Sequence, residues 1–191
     1  MKTVEIIGYK RANLGKKDSK DLRAEAMVPC VLYGGSEQIH FYSPMILFRP
    51  LVYTQDVYKV LLNIEGDTHE AFLQATQFHP VSDVMLHADF LLIRNDKKVK
   101  IEVPIRFKGT ALGVTKGGKL VQKVEKIKVL ALPEDLPSFL EVDVTDLDLS
   151  KSVRVSDIPA GNFKVLNAPA IPVATVTVPR ALKGKEEAAA K

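Results

Sequence analysis

The chain has 191 residues, 46% of them hydrophobic, with 27 Lys and Arg against 23 Asp and Glu for a net charge of +4. That balance supports two modest folded domains or one large one, and it excludes a disordered or fibrous chain. No stretch reaches the roughly twenty apolar residues that span a bilayer, and MKTVEIIGYK has neither the apolar core nor the cleavage site of a secretory signal, so a cytosolic protein is expected.

In chain order the elements read mostly as strands. Residues 3–10 (TVEIIGYK) are β-branched and extended, and 10–35 (KRANLGKKDSKDLRAEAMVPCVLYGG) begin as a basic loop and end as a strand over 30–33 that closes on Gly34 and Gly35. A short strand over 39–42 follows. Ser43 as a hydroxyl N-cap and Pro44 at the first helical position then predict a short helix over 45–53. Residues 57–64 and 70–77 form a hairpin about a turn at Glu65, Gly66 and Asp67, and a break at 79–83 precedes a strand over 86–94.

A polar segment, 95–98, reads as a hinge that divides a first domain, 1–95, from a second, 96–180. Strict alternation over 99–108 (VKIEVPIRFK) gives a half-buried strand. A glycine-rich connection over 109–119 leads to a second alternating strand over 120–132, and further strands are expected at 139–144, 153–155 and 171–178, with turn residues over 159–167. Helical signals are nearly absent here, which predicts an all-β domain of antiparallel hairpins. The tail over 181–191 has nothing to pack on and is expected to be frayed or at most weakly helical.

Charge is local. Residues 1–95 carry 10 bases against 11 acids, whereas 96–128 hold ten bases against three acids and 134–148 hold six acids and no base. Within the neutral first half, Lys10, Arg11, Lys16, Lys17, Lys20 and Arg23 fall within fourteen positions. A loop of that kind follows a phosphate backbone; equally, it is what a solvated surface loop looks like, since Asp18, Asp21 and Glu25 dilute it. Confined positive charge suits docking at a defined site better than non-specific coating of a nucleic acid.

Material for catalysis is scarce. The lone Cys30 lies in an apolar strand as a small hydrophobe, and neither a Ser, His and acid arrangement nor a carboxylate pair stands out. Residues 113–119 (GVTKGGK) imitate a phosphate-binding loop, but Leu120 stands where a Ser or Thr must hold magnesium, and a strand follows in place of a helix. His79, His87 and Asp89 lack further ligands at a metal-binding spacing. No cofactor, metal or small-molecule substrate is therefore expected. On an exposed sheet face His87 and Asp89, with Gln77 and His79 from the neighbouring strand end and Tyr33, suit base edges and 2′-hydroxyls in the shallow groove of an RNA helix. The competing reading is a His-x-Asp pair that satisfies itself.

Two spaced segments, LRAEAMVPCVLYGG at 22–35 and QFHPVSDVMLHADFL at 77–91, resemble the family of bacterial large-subunit ribosomal proteins that bind 5S ribosomal RNA. The later stretches VPIRFKGTALGVTKGGKLVQ, LPSFLEVDVTDLDLSKSVRVSDI and the VPR at 178–180 are similar to its long form, the general stress protein CTC type. The resemblance implies a mainly β chain: a six-stranded β-barrel with short helices clamped on 5S RNA, then a C-terminal β-roll. It implies phosphate contacts from Lys10, Arg11, Lys20 and Arg23, with Lys16 and Lys17 in the same loop, and groove contacts from Tyr33, Gln77, His87 and Asp89. This chain departs from the family at Asp21, where a base is common, and near Met27, where a glycine is common.

The expected function is thus that of a non-enzymatic component of the large ribosomal subunit. Its partners would be 5S RNA and neighbouring subunit components, without a membrane. Two alternatives stand beside it: a stress-linked protein-interaction module whose RNA contact is incidental, and an NTPase built on 113–119.

Overall fold

Period-two alternation decides the architecture of the computed structural model, which describes residues 1–159 and 161–179. The predicted tail lies outside the described residues. By internal packing the chain divides into one unit of Met1–Val99 with Leu132–Glu134, and a second of Lys100–Ala131 with the chain from Asp135 onward.

The first unit is a closed barrel. Its strands are β1 (Lys2–Lys10), β2 (Met27–Tyr33), β3 (Ile39–Pro44), β4 (Tyr58–Ile64), β5 (Asp67–Phe78) and β6 (Met85–Leu92), in the order β1-β3-β2-β6-β5-β4. Two neighbours are parallel, β1 with β4 and β2 with β6, and the rest antiparallel. The inward residues Ile6, Cys30, Leu32, Phe41, Leu62 and Phe90 meet in one core. Phe90 is its hub, with ring centroids 5.8 Å from Phe41 and 6.2 Å from Phe48.

Two local readings change. The basic segment is not a loop throughout: Lys16–Ala24 is a helix, α1. It offers only Leu22 as a large apolar residue and so shows no apolar period, yet its Lys, Leu, Arg and Ala residues are good helix formers. A helix does follow Ser43-Pro44, but neither residue opens it as expected. Both end β3, and the buried Ser43 hydroxyl donates to the Ile7 carbonyl at 2.7 Å. Met45–Phe48 is a 3₁₀ turn and Arg49–Val52, α2, has Pro50 in its first turn.

Helix α1 ends on Ala26, which has φ +58° and whose carbonyl accepts from the Met45 amide at 3.0 Å. A residue with a Cβ is held in the left-handed region at a cost of about 1–2 kcal/mol. Glycine removes that cost but adds unfolded-chain entropy of about 0.4–1 kcal/mol, which offsets part of the gain. Ala26→Gly is therefore expected to stabilise the barrel by about 0.5–1 kcal/mol, read as a thermal midpoint a few degrees higher. An unchanged or lower midpoint would contradict the strain at this cap.

The second unit is built of strands with two short helical turns among its described residues, one of them a 3₁₀ turn at Val155–Asp157. Strands β7 (Val99–Lys108), β9 (Lys126–Ala131), β10 (Leu140–Asp143) and β12 (Lys164–Val165) form a sheet in the order β10-β7-β9-β12, and β8 (Lys119–Gln122), β11 (Ser152–Arg154) and β13 (Pro172–Thr177) form another in the order β11-β13-β8. The expectation of antiparallel hairpins fails at one pair, because β10 runs parallel to β7. The single strand expected over 120–132 is two, β8 and β9, which belong to different sheets.

The glycine-rich connection is built rather than loose. It holds a helical turn, α3 (Leu112–Thr115), and a Cβ on Gly118 would stand 2.6 Å from both the Gly113 carbonyl oxygen and a Val176 methyl. Lys116, the first lysine of the phosphate-loop imitation, pairs with Asp148 at 2.9 Å. These glycines serve close packing.

Candidate nucleic-acid interface

Along β6 the alternation buries Ala88 and Phe90 and turns His87, Asp89 and Leu91 to the outside of the barrel. Its parallel neighbour β2 sends Cys30 and Leu32 inward and Val31 and Tyr33 outward, with Val31 beside Asp89 and Tyr33 beside Leu91. On the other flank β5 sets Gln77 opposite His87 and Ala75 opposite Asp89. Register shifts between Leu73 and Ala75, and between Gln77 and Phe78, bracket that pairing and re-aim the strand as bulges do. Three strands thus bring Tyr33, Gln77, His87 and Asp89 onto one outer face.

The polar groups there are mutually ordered. His87 Nδ1 donates to Asp89 Oδ1 at 2.7 Å, with 28% and 30% of the two side chains exposed. In the neutral imidazole this bond leaves Nε2 as an acceptor, and the carboxylate keeps its second oxygen. Burial first, and the Asp89 charge second, push the Tyr33 hydroxyl above its ordinary pKa, so it stays a donor. The pair satisfies half of its own hydrogen-bonding capacity and remains partly exposed for the other half.

Helix α1 redistributes the basic cluster. Lys16 and Lys20 are four residues apart and Lys17 and Lys20 three, so they share one side of the helix, and all three are exposed. Asp18 turns the other way to meet Arg11 Nη2 at 2.7 Å, and Ser19 accepts from the same nitrogen at 3.0 Å. Arg11 is only 7% exposed, its Nε buried without a hydrogen-bond partner. Arg23 donates from Nε to the Leu86 carbonyl at 3.0 Å, which ties the end of the helix beside His87. Lys10 lies 3.9 Å from Glu65 and 3.7 Å from Asp67, at the β4–β5 turn. The structure therefore presents Lys16, Lys17 and Lys20, uses Arg11 and Arg23 to fasten the helix, and sets Lys10 among acids.

Sequence reasoning missed residues on the same outer surface. Tyr9 and Tyr42 stand in register on β1 and β3 with ring centroids 5.6 Å apart, and Tyr42 is in register with Pro29 of β2. The signal was available: alternation in IHFY places His40 and Tyr42 opposite the buried Phe41. Asp18 and Ser19, which hold Arg11, had none. His79 is spent locally, its Nδ1 accepting from the amides of Val81 at 3.3 Å and Ser82 at 3.2 Å. Cys30 is buried, and burial, chiefly, holds its thiol far above the ordinary range. Among the described residues no group of three or more His, Cys, Asp or Glu is placed to hold a metal ion, and no helix is long and apolar enough to cross a membrane.

Comparison with known proteins gives two family matches: residues 6–90 to the ribosomal L25p family and residues 98–180 to the C-terminal domain of ribosomal protein TL5. Over its full length the chain is 56% identical to the large ribosomal subunit protein bL25 of Cytophaga hutchinsonii, across all of that protein. It is 52% identical to the protein of the same name from Amoebophilus asiaticus, covering 98% of it, and 39% identical to that of Bacteroides fragilis, covering all of it.

Proposed function

The chain belongs to the ribosomal L25p family, in the form that carries a TL5-type C-terminal domain, and from that membership we propose that it is a structural constituent of the large ribosomal subunit that binds 5S RNA through its barrel. The relatives are ribosomal proteins, not enzymes. The proposed place of action is the ribosome in the cytoplasm, with other large-subunit components as neighbours.

The observation that carries the RNA reading is the convergence of Tyr33, Gln77, His87 and Asp89 on one outer face that helix α1 borders through Arg23. The two parts do different work. Exposed lysines on α1 meet phosphates as point charges and set register, which carries no sequence information. The ordered donors and acceptors of the sheet face match base edges and 2′-hydroxyls, which a wide, shallow RNA groove displays. In this reading Arg11 and Arg23 position the helix, and Lys10 reaches phosphate only by leaving Glu65 and Asp67.

The deciding experiment is an equilibrium titration of the chain with 5S RNA against transfer RNA as competitor. Binding that survives the competitor supports specific recognition, and binding that the competitor abolishes reduces the site to its charge. Replacing Lys16, Lys17 and Lys20 together by Gln is expected to lower the slope of log K against log salt by about two to three, at roughly 0.7–0.9 for each phosphate no longer neutralised. A slope equal to that of the wild type would remove the helix from the phosphate-binding surface.

A further inference from the structure

Four lysines of the second half share one face of one sheet. Alternation along β7 and β9 buries Ile101, Val103, Ile127 and Val129 and turns Lys100, Glu102, Lys126 and Lys128 to the opposite side. The two strands are neighbours, and the Lys128 ammonium reaches the Glu102 carboxylate at 3.7 Å, which places these side chains together. Beyond β9, β12 adds Lys164 in register with Leu130, the next outward residue after Lys128. The patch thus holds four lysines and one acid.

Apart from Glu102 within the patch and the exposed Glu125 just before β9, several acids of this unit are engaged away from it. Glu141 and Asp143 lie on β10, at the far edge of the same sheet from β12. Asp143 accepts from the Thr145 amide at 2.9 Å and its hydroxyl at 2.5 Å, Asp148 from Lys116 at 2.9 Å and the Leu149 amide at 2.8 Å, and Asp157 from the Arg154 amide at 2.9 Å. These bonds hold all three carboxyls below the usual range, so they stay charged and engaged. The sheet face is therefore polarised, acidic at the β10 edge and basic from β7 to β12.

Outward residues on a strand are about 6.8 Å apart and neighbouring strands about 4.8 Å, so the ammonium groups form a grid on the scale of successive phosphates along a nucleic-acid strand. Protein interfaces are depleted in Lys and enriched in Arg and aromatic anchors, whereas four Lys outnumber the single Arg on this face. The one Arg of β7, Arg106, lies over the Phe139 ring at 4.4 Å. We propose that the outer face of the β7, β9 and β12 strands binds the phosphate backbone of RNA, as a second contact that reads no sequence and is separate from the barrel site.

The test uses the full chain with Lys100→Gln, Lys126→Gln, Lys128→Gln and Lys164→Gln combined, and the matching set of Lys→Arg changes. Each is made in the wild type and in the variant with Lys16, Lys17 and Lys20 replaced by Gln, so that failure of the barrel reading cannot hide or imitate the result. The probes are an RNA hairpin duplex of about twenty base pairs and poly-glutamate. Four phosphates at roughly 0.7–0.9 each predict that the Gln set lowers the salt slope for the duplex by about three in both backgrounds, while the Arg set keeps it. An unchanged slope with the Gln set overturns the proposal. So does poly-glutamate binding as tightly as the duplex, which would make the face a site for acidic polypeptides.

Discussion

Asp89→Ala is expected to weaken 5S RNA binding by about 1–3 kcal/mol, a loss of roughly 5–150-fold, although it removes a negative charge from beside a polyanion. Coulomb's law alone gives the opposite sign. Within a Debye length of about 8–10 Å of the phosphates, losing a carboxylate should tighten binding. A net loss therefore isolates what the carboxylate does as a hydrogen-bonding group. In the proposed reading one oxygen accepts from RNA, while the other, through the 2.7 Å bond from Nδ1, fixes the ring of His87.

His87→Ala should cost about as much, with an unchanged salt slope, since in the proposed reading neither residue meets a phosphate. Because the two side chains act through one bond, the double variant should cost little more than either single one. Full additivity would separate them into independent contributions. Tighter binding by Asp89→Ala would leave the acid as a mere neighbour of the site.

How much of this was legible follows from which signals are local. β7 spans Val99–Lys108 as its alternation implies, because a half-buried strand writes its period into consecutive residues. The same rule misleads over 120–132. Residues 123–125 interrupt the ladder and the chain changes sheet there, a tertiary event that alternation does not register. β12 hides among turn residues because a strand of two residues has no period to show.

For the candidate site, residue types were readable and their division of labour was not. Asp18 lies seven positions after Arg11, and only the helix between Gly15 and Glu25 turns the acid back onto the guanidinium. That one bond takes the Arg11 guanidinium out of the presented surface, while Asp18 stays partly exposed. The exposed lysines still share their side of the helix with Asp21, four residues after Lys17 and itself exposed. Likewise the opposition of Gln77 to His87 depends on a bulged register in β5, which composition does not announce.

The barrel's stability and its recognition face meet in β6, where Asp89 points out and the next residue, Phe90, points into the core with no exposed surface. Phe90→Ala removes the ring that touches both Phe41 and Phe48 and leaves a cavity, at a cost of about 3–5 kcal/mol. A domain of this size has about 5–15 kcal/mol in total, so the variant should be marginal and its RNA binding weakened with its fold. The chain carries a selective probe of that event: it has no Trp, and its five Tyr, at positions 9, 33, 42, 53 and 58, all lie in the barrel unit. Tyrosine fluorescence in urea therefore follows the barrel alone. With a slope of about 1–3 kcal/mol/M, the midpoint should fall by at least about 1 M, whereas Phe90→Leu, which keeps most of the volume, should lose about 1.5 kcal/mol or less. A Phe90→Ala midpoint within about 0.3 M of the wild type would show that the core collapses around the missing ring, and that the position of Asp89 does not depend on it.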